Sequence, residues 1–206
     1  MVTFAWMWLG CSTPTTNPEP LPYYASRDFT PHWFTPDTVP EGFHAIPAFS
    51  LTDQHGATVT DADLDGNVSI VSFFFTRCGG ICPSLTASLH GVATEFAGRD
   101  DVQLLGHSVM PTDDTVPVLK AFADKHGITS PQWHLLTGPR PEIYALGREA
   151  YFVEEDLGEP VDPDAFLHTE NVVMVDGTRR IRGIYNGLNA SAMRQLVADV
   201  KTVLAE

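Results

Sequence analysis

NVSIVSFFF (67–75) and the segment that follows it, TRCGGICPSLTASLHGVATEF (76–96), decide the fold. The first is an almost unbroken run of β-branched and aromatic residues. Its lack of alternation predicts a strand covered on both faces, as at the centre of a parallel sheet. In the second, Leu85, Leu89, Val92, Ala93 and Phe96 recur at helical spacing after the loop Thr76-Arg77-Cys78-Gly79-Gly80. The alternation then repeats. DVQLLGHSV (101–109) reads as a strand, and 114–126 as a helix with Val118, Leu119, Phe122 and Ala123 on one side. WHLLT (133–137) is a short strand, and 139–150 a helix opened by Pro139 or Pro141, a favoured early position.

Hairpins bracket this unit. HAIPAFSLTDQHGATVT (44–60) reads as two short extended pieces joined at Gln54-His55-Gly56. NVVMVDG (171–177) and RRIRGIY (179–185) pair around Asp176-Gly177, a strong turn signal. A helix over 190–204, with Met193, Leu196, Val197, Val200 and Leu204 facing inward, closes the chain. The order predicts an α/β sandwich with a mixed central sheet flanked by helices, the order of an elaborated thioredoxin-like fold. It carries an N-terminal β-hairpin extension and a second β-hairpin after the cysteine region.

The chain has 206 residues, 43% of them hydrophobic and 18% charged, enough to bury a real core and too apolar to be disordered. Lys and Arg number 12 against 26 Asp and Glu, a net charge of −14. So negative a surface repels phosphate backbones and argues against nucleic acid as a partner. Three cysteines are too few for a disulfide-stapled scaffold.

Residues 1–9, MVTFAWMWL, are apolar but carry no positive leader, the first basic residue being Arg27. Leu9-Gly10-Cys11 and the polar, proline-rich stretch after it resemble the end of a bacterial lipoprotein signal, with Cys11 as the lipidated residue. Residues 12–40 hold seven of the 16 prolines and are expected to form an extended tether. Its Tyr23, Tyr24, Phe29, Trp33 and Phe34 imply that its second half lies against the domain, which runs from residue 41 to 206.

Chemistry concentrates at Cys78 and Cys82. They stand four apart, directly after a buried strand and at the start of a helix, where side chains share a face about 5–6 Å apart. A disulfide between them needs some unwinding and is easily reduced, whereas both thiolates can converge on one metal ion with little rearrangement. The helix amino terminus favours the thiolate. Gly79 and Gly80 are expected to let the loop turn tightly and expose the pair. A histidine joining two thiolates would suit a soft ion: thiolates favour Cu(I), and imidazole suits copper or zinc. Of eight histidines, His168 is the most suggestive, in a loop just before strand 171–175. His107 reads as structural, and Met110 and Met174 as core filling. Asp114, beside Asp113, is expected to cap the helix that follows. The loop 153–165 contains six acids and reads as solvated, with room for docking a basic partner next to His168.

FFFTRCGGICPSLT (73–86), LLGHSVMPTDDT (104–115), WHLLTG (133–138) and FLHTENVVMVDGTRRIRGIYNG (166–187) closely resemble the Sco/SenC family, and LPYYASRDFTPHW (21–33) is similar to its tether signature. The resemblance covers about residues 21–204. It implies a thioredoxin-like copper protein facing the periplasm or an equivalent compartment. Such proteins deliver copper to the binuclear site of cytochrome c oxidase subunit II, or keep that subunit's cysteines reduced. The family's ligands, two cysteines of a CxxxC motif and a distal histidine, match Cys78, Cys82 and His168. Gly79 departs from the family, which usually has proline there.

Two functions therefore compete. A metallochaperone would bind Cu(I) or Cu(II) through Cys78, Cys82 and His168 and pass it on by ligand exchange. A thiol-disulfide reductase would use Cys78 and Cys82 as a redox pair and needs no histidine. A third reading, a peroxidase using one low-pKa cysteine beside Thr76 and Arg77, is opposed by the second cysteine so close by.

Overall fold

A computed structural model describes residues 20–153, 167 and 169–206. Its centre is a five-stranded mixed sheet in the order β5-β4-β3-β6-β7. The strands are β3 (Val68–Phe74), β4 (Val102–Ser108), β5 (Trp133–Leu136), β6 (Asn171–Val175) and β7 (Ile181–Asn186), and β1 (Ser50–Thr52) and β2 (Thr58–Thr60) form a separate hairpin. β3 is parallel to β4, and β4 to β5, while β6 runs antiparallel to β3 and β7 to β6. This is the thioredoxin-like mixed sheet expected from the sequence.

Every residue of β3 is buried, as its unbroken apolar run requires. Alternate side chains serve different cores. Val68, Ile70 and Phe74 join a cluster with Leu85 and Leu89 of α1 (Cys82–Glu95), Leu119 and Phe122 of α2 (Val116–His126), and Leu196 and Val200 of α4 (Ala190–Val203). Val71 and Phe73 face the other way, against Leu51, Val59 and Ile143 of α3 (Arg140–Ala145). Three helices thus cover one face of the sheet, and α3 with the β1–β2 hairpin covers the other.

Local chemistry sets the helix ends. Asn189 caps α4, its side-chain oxygen accepting the Ser191 and Ala192 N–H groups at 2.8 and 3.2 Å. Gly127 ends α2 at φ 68°, a left-handed conformation that favours glycine. The helix expected over 139–150 is only partly α-helical: after Ala145 it widens into a π-helical turn, Leu146–Ala150. The Tyr151 N–H bonds the Leu146 carbonyl at 2.8 Å, a five-residue reach that periodicity in the sequence does not signal.

The amino-terminal arm docks along both parts, Phe29 packing against the core and Phe34 against Tyr23 and Phe43 at 6.1 and 5.5 Å. Tyr23 is 2% exposed, the Tyr24 N–H bonds the Ile181 carbonyl at the start of β7, and Tyr23 and His32 pair through their backbones. Trp33, in the half expected to pack, is 64% exposed. Arg182 locks this region. It is 2% exposed and gives its guanidinium to Glu206 (2.7 and 2.8 Å), Asp176 (3.2 Å) and the carbonyls of Leu21 and Pro22 (3.0 and 3.3 Å). It also lies 4.0 Å over the Tyr23 ring.

Candidate metal centre

The cysteines sit where β3 leaves the sheet. Cys82 is the first residue of α1 and 5% exposed, while Cys78 is half-buried in the loop before it. Both thiols are free. Burial raises the Cys78 thiol, but its hydrogen bond with the Cys82 thiol and the N–H groups of Cys82, Gly80 and Ile81 outweigh this, and its pKa falls. Burial and the bond to Cys78 push Cys82 up to about 12. The pair is therefore electrostatically unequal: the more accessible sulfur is the more readily ionised one.

The loop is anchored from behind by a residue whose role differs from expectation. Asp114 does not cap α2; Thr115 holds the cap position, with no side-chain capping bond. Asp114 is instead 1% exposed, and its carboxylate accepts the Thr76 N–H (3.1 Å), the Thr76 hydroxyl (2.5 Å) and the Ser108 hydroxyl (2.6 Å). The loops after β3 and β4 are thus bolted together two residues before Cys78. Neighbouring Asp113 pairs with Arg77 at 2.8 Å, in a solvated contact worth at most about 1 kcal/mol.

Gly79 and Gly80 also depart from expectation. Neither has a positive φ, and a side chain at either would meet nothing within 4 Å. The turn does not need glycine. At Gly79, where the family resemblance leads one to expect proline, a Cβ would meet nothing within 4 Å.

Met174 is fully buried in the core under α1, and Met110 packs partly buried against the core on the opposite face, as expected of filling residues. His107 is fully buried on the face of the sheet opposite Cys82, stacked on Phe73 at 5.0 Å and 5.6 Å from the Tyr151 ring. Burial holds its imidazole down to about pKa 4, so it is a neutral core residue. Several other histidines have partners away from the cysteines. His44 bonds the Ala150 carbonyl, His90 the His126 carbonyl, and His134 Asp53. Among the described residues no group of three or more His, Cys, Asp or Glu side chains is placed to hold a metal ion.

His168, Cys11 and the six acids of the 153–165 loop lie outside the described residues. The flanks of His168 do not. Leu167 is 1% exposed in the core, and the Thr169 hydroxyl accepts the Asn171 N–H at 3.0 Å as β6 begins. Val71 of β3 pairs with Val173 of β6, so the start of β6 lies at the sheet end where β3 exits toward Cys78. A Cβ on Gly187 would lie 2.3 Å from Leu85 Cδ1 of α1 and 3.0 Å from the Glu170 carbonyl. Gly187, just after β7, thus lies between the cysteine helix and the segment entering β6. Sequence periodicity offered no sign of it, nor of the Asp114 bolt.

Comparison with known proteins agrees with this architecture. The SCO1/SenC family model matches residues 38–205. The SCO1 protein homolog of Bacillus subtilis (strain 168) is 28% identical over 163 residues, 77% of this chain and 82% of its own. A SCO1/SenC family lipoprotein from Bacillus anthracis str. Ames superposes with a TM-score of 0.67 at 27% identity, covering 79% of this chain and 96% of that one. Bradyrhizobium japonicum ScoI, solved with copper bound, gives 0.61 at 26% identity, over 77% and 99%. With the family model spanning the cysteine loop, the strands around it and both hairpins, the chain belongs to the SCO1/SenC family.

Proposed function

We propose that this protein is a copper metallochaperone that holds copper on the Cys78 and Cys82 thiolates and His168, and delivers it to the binuclear site of cytochrome c oxidase subunit II during oxidase assembly. The observation that carries the reading is the unequal cysteine pair at the amino terminus of α1, one sulfur accessible and readily ionised and the other seated in the core. Two soft sulfur donors one helical turn apart suit Cu(I), and an added imidazole extends the set to Cu(II). A donor set exposed on one side lets a recipient's ligand bond before the donor's lets go. The copper-bound relative from Bradyrhizobium japonicum supports the choice of metal.

The lipoprotein relative supports the remaining parts of the reading. Residues 1–11 act as a lipoprotein signal, Cys11 carries the lipid, residues 12–40 are the tether, and residues 41–206 hold the copper site at the periplasmic face of the inner membrane.

An anaerobic Cu(I) competition titration of the reduced protein tests the reading. One copper per chain is expected, lost in Cys78→Ser and weakened at least tenfold, about 1.4 kcal/mol, in His168→Ala. Binding indifferent to His168 would remove the three-ligand site.

The pKa split favours one second reading, a thiol-disulfide reductase that keeps the oxidase cysteines reduced. The Cys78 thiolate would attack a target disulfide to form a mixed disulfide. Cys82, losing its proton, would then attack the Cys78 sulfur, releasing the reduced target and leaving a Cys78–Cys82 disulfide. Copper affinity indifferent to His168, together with reduction of a disulfide substrate that Cys78→Ser abolishes, would put this reading first.

A further inference from the structure

The two edges of the central sheet are finished differently. At β5 the edge is closed: Gln54 Nε2 donates to the Trp133 carbonyl at 2.8 Å, Gln54 Oε1 accepts the Leu135 N–H at 2.7 Å, and Thr52 and Thr137 exchange two backbone bonds of 2.9 Å. At β7 the only backbone bond to the edge among the described residues runs from the Tyr24 N–H to the Ile181 carbonyl at 3.1 Å. The phase of the β6–β7 ladder fixes which groups of β7 remain. Asn171 faces Asn186, and one step further the Gly187 N–H bonds the Glu170 carbonyl at 2.8 Å. Antiparallel pairs alternate between bonded and unbonded, so Gly187, Tyr185 and Gly183 turn their backbone groups toward β6, and Asn186 and Ile184 turn theirs away from it. The Asn186 carbonyl accepts the Asn189 N–H at 3.1 Å. The Ile184 N–H and carbonyl and the Asn186 N–H are left on the outer edge, and none of the three has a hydrogen-bond partner among the described residues. Gly183–Asn186 carries neither charge nor proline, the usual guards of an edge strand. Ile184, Tyr24 and Phe29 are half-buried against the same core, and Leu188, two residues past the strand, is 42% exposed.

We propose that the outer edge of β7 is a docking strand: an extended, apolar segment of the copper recipient adds to it as a sixth strand of the sheet, bonding the backbone of Ile184 and Asn186. The inference rests on the delivery reading above and deepens it by naming where the recipient is gripped. The chain's own arm indicates what this edge accepts, since Tyr24 joins it as extended backbone in an antiparallel bridge. A register shift opposite Met174 and Val175 parts that bridge from the open stretch. β7 runs parallel to β3, so the open stretch lies toward the end of the sheet where β3 exits to Cys78. At ordinary strand spacing the added strand lies about 14 Å from β3. The net charge of −14 favours a segment without acidic residues.

Hydrogen exchange on the full chain, read amide by amide, tests this with the copper domain of oxidase subunit II as the probe. In the free protein the Ile184 and Asn186 amides should exchange at least tenfold faster than those of Gly183 and Tyr185. Equal protection would mean that another part of the chain already fills the edge, and protection that grows with protein concentration would assign it to a second copy; either overturns the proposal. Adding the copper domain should slow the Ile184 and Asn186 amides at least tenfold. Ile184→Pro removes an outward N–H and no bond to β6, and should weaken the complex at least tenfold while Cu(I) affinity stays at its wild-type value. Ile184→Lys, which guards the edge with a charge, carries the test should the proline variant not fold. A complex that leaves exchange at both amides unchanged, or that forms equally well with the folded variant, overturns the docking strand and leaves delivery standing. Absence of any complex, at wild-type Cu(I) affinity, removes the recipient and the docking strand together but not the copper site.

Discussion

The two ends of the central sheet are built on opposite terms. At the end where β7 begins, Arg182 spends its donors on two carboxylates and two backbone carbonyls and stacks on Tyr23. Arm, turn and final helix are fastened there by one buried cation. At the end where β3 exits, two thiols free of a disulfide bond each other and nearby backbone N–H groups, beside glycines with open space around them. Asp114, set back behind the loop, is committed to three protein donors. The buried ionic network is concentrated at the first end, while the cysteine loop is held from behind by the Asp114 bonds.

The largest test of this contrast is Arg182→Ala. It leaves Asp176 and Glu206 facing an unpaired, largely buried space, and should cost about 3–5 kcal/mol in a denaturant unfolding curve. Cu(I) affinity of the folded variant should match wild type; a joint loss would mean that the two ends are coupled. Asp114→Asn removes charge from an acceptor of three hydrogen bonds and should cost about 1–3 kcal/mol. Unlike the arginine variant, it should also alter Cys78 reactivity, because Thr76 is the bolt of that loop. In the reduced metal-free protein, alkylation near neutral pH should modify Cys78 at least ten times faster than Cys82, as mass spectrometry of digested samples would read. Equal rates would erase the inequality on which the site is argued.

Glycine gives the finest comparison. A Cβ on Gly177 would lie 2.9 Å from the backbone of Gly66, which cannot yield as a side chain would. Gly177→Ala should cost about 1–3 kcal/mol. Gly79→Ala meets nothing and should stabilise by about 0.4–1 kcal/mol by restricting the unfolded chain. Thermal unfolding of both variants measures the difference in tolerance between the two ends.

What could be read from the sequence was what repeats or lies close together. The alternation of apolar runs and helical stripes delivered β3 through α4, and the Asp176-Gly177 turn delivered the hairpin of β6 and β7. Cys78 and Cys82 stood out by spacing and context, while His168 took its meaning from family resemblance. What escaped was long-range. Asp114 carries a local cap signal, two residues before α2, yet Thr76, 38 positions away, and Ser108 claim its carboxylate. Arg182 reaches 160 residues back to Pro22 and 24 forward to Glu206, which no window of sequence anticipates. The π turn at Leu146–Ala150 hides within a pattern that fits an ordinary helix.

The docking of Tyr24 on the start of β7 gives the molecule a direction. The chain arrives at the end of the sheet opposite to the cysteines, separated from them by the length of β3, about 20 Å for a seven-residue strand. A partner that grips the docked arm at Tyr23 and Tyr24 therefore leaves the Cys78 end of the sheet uncovered.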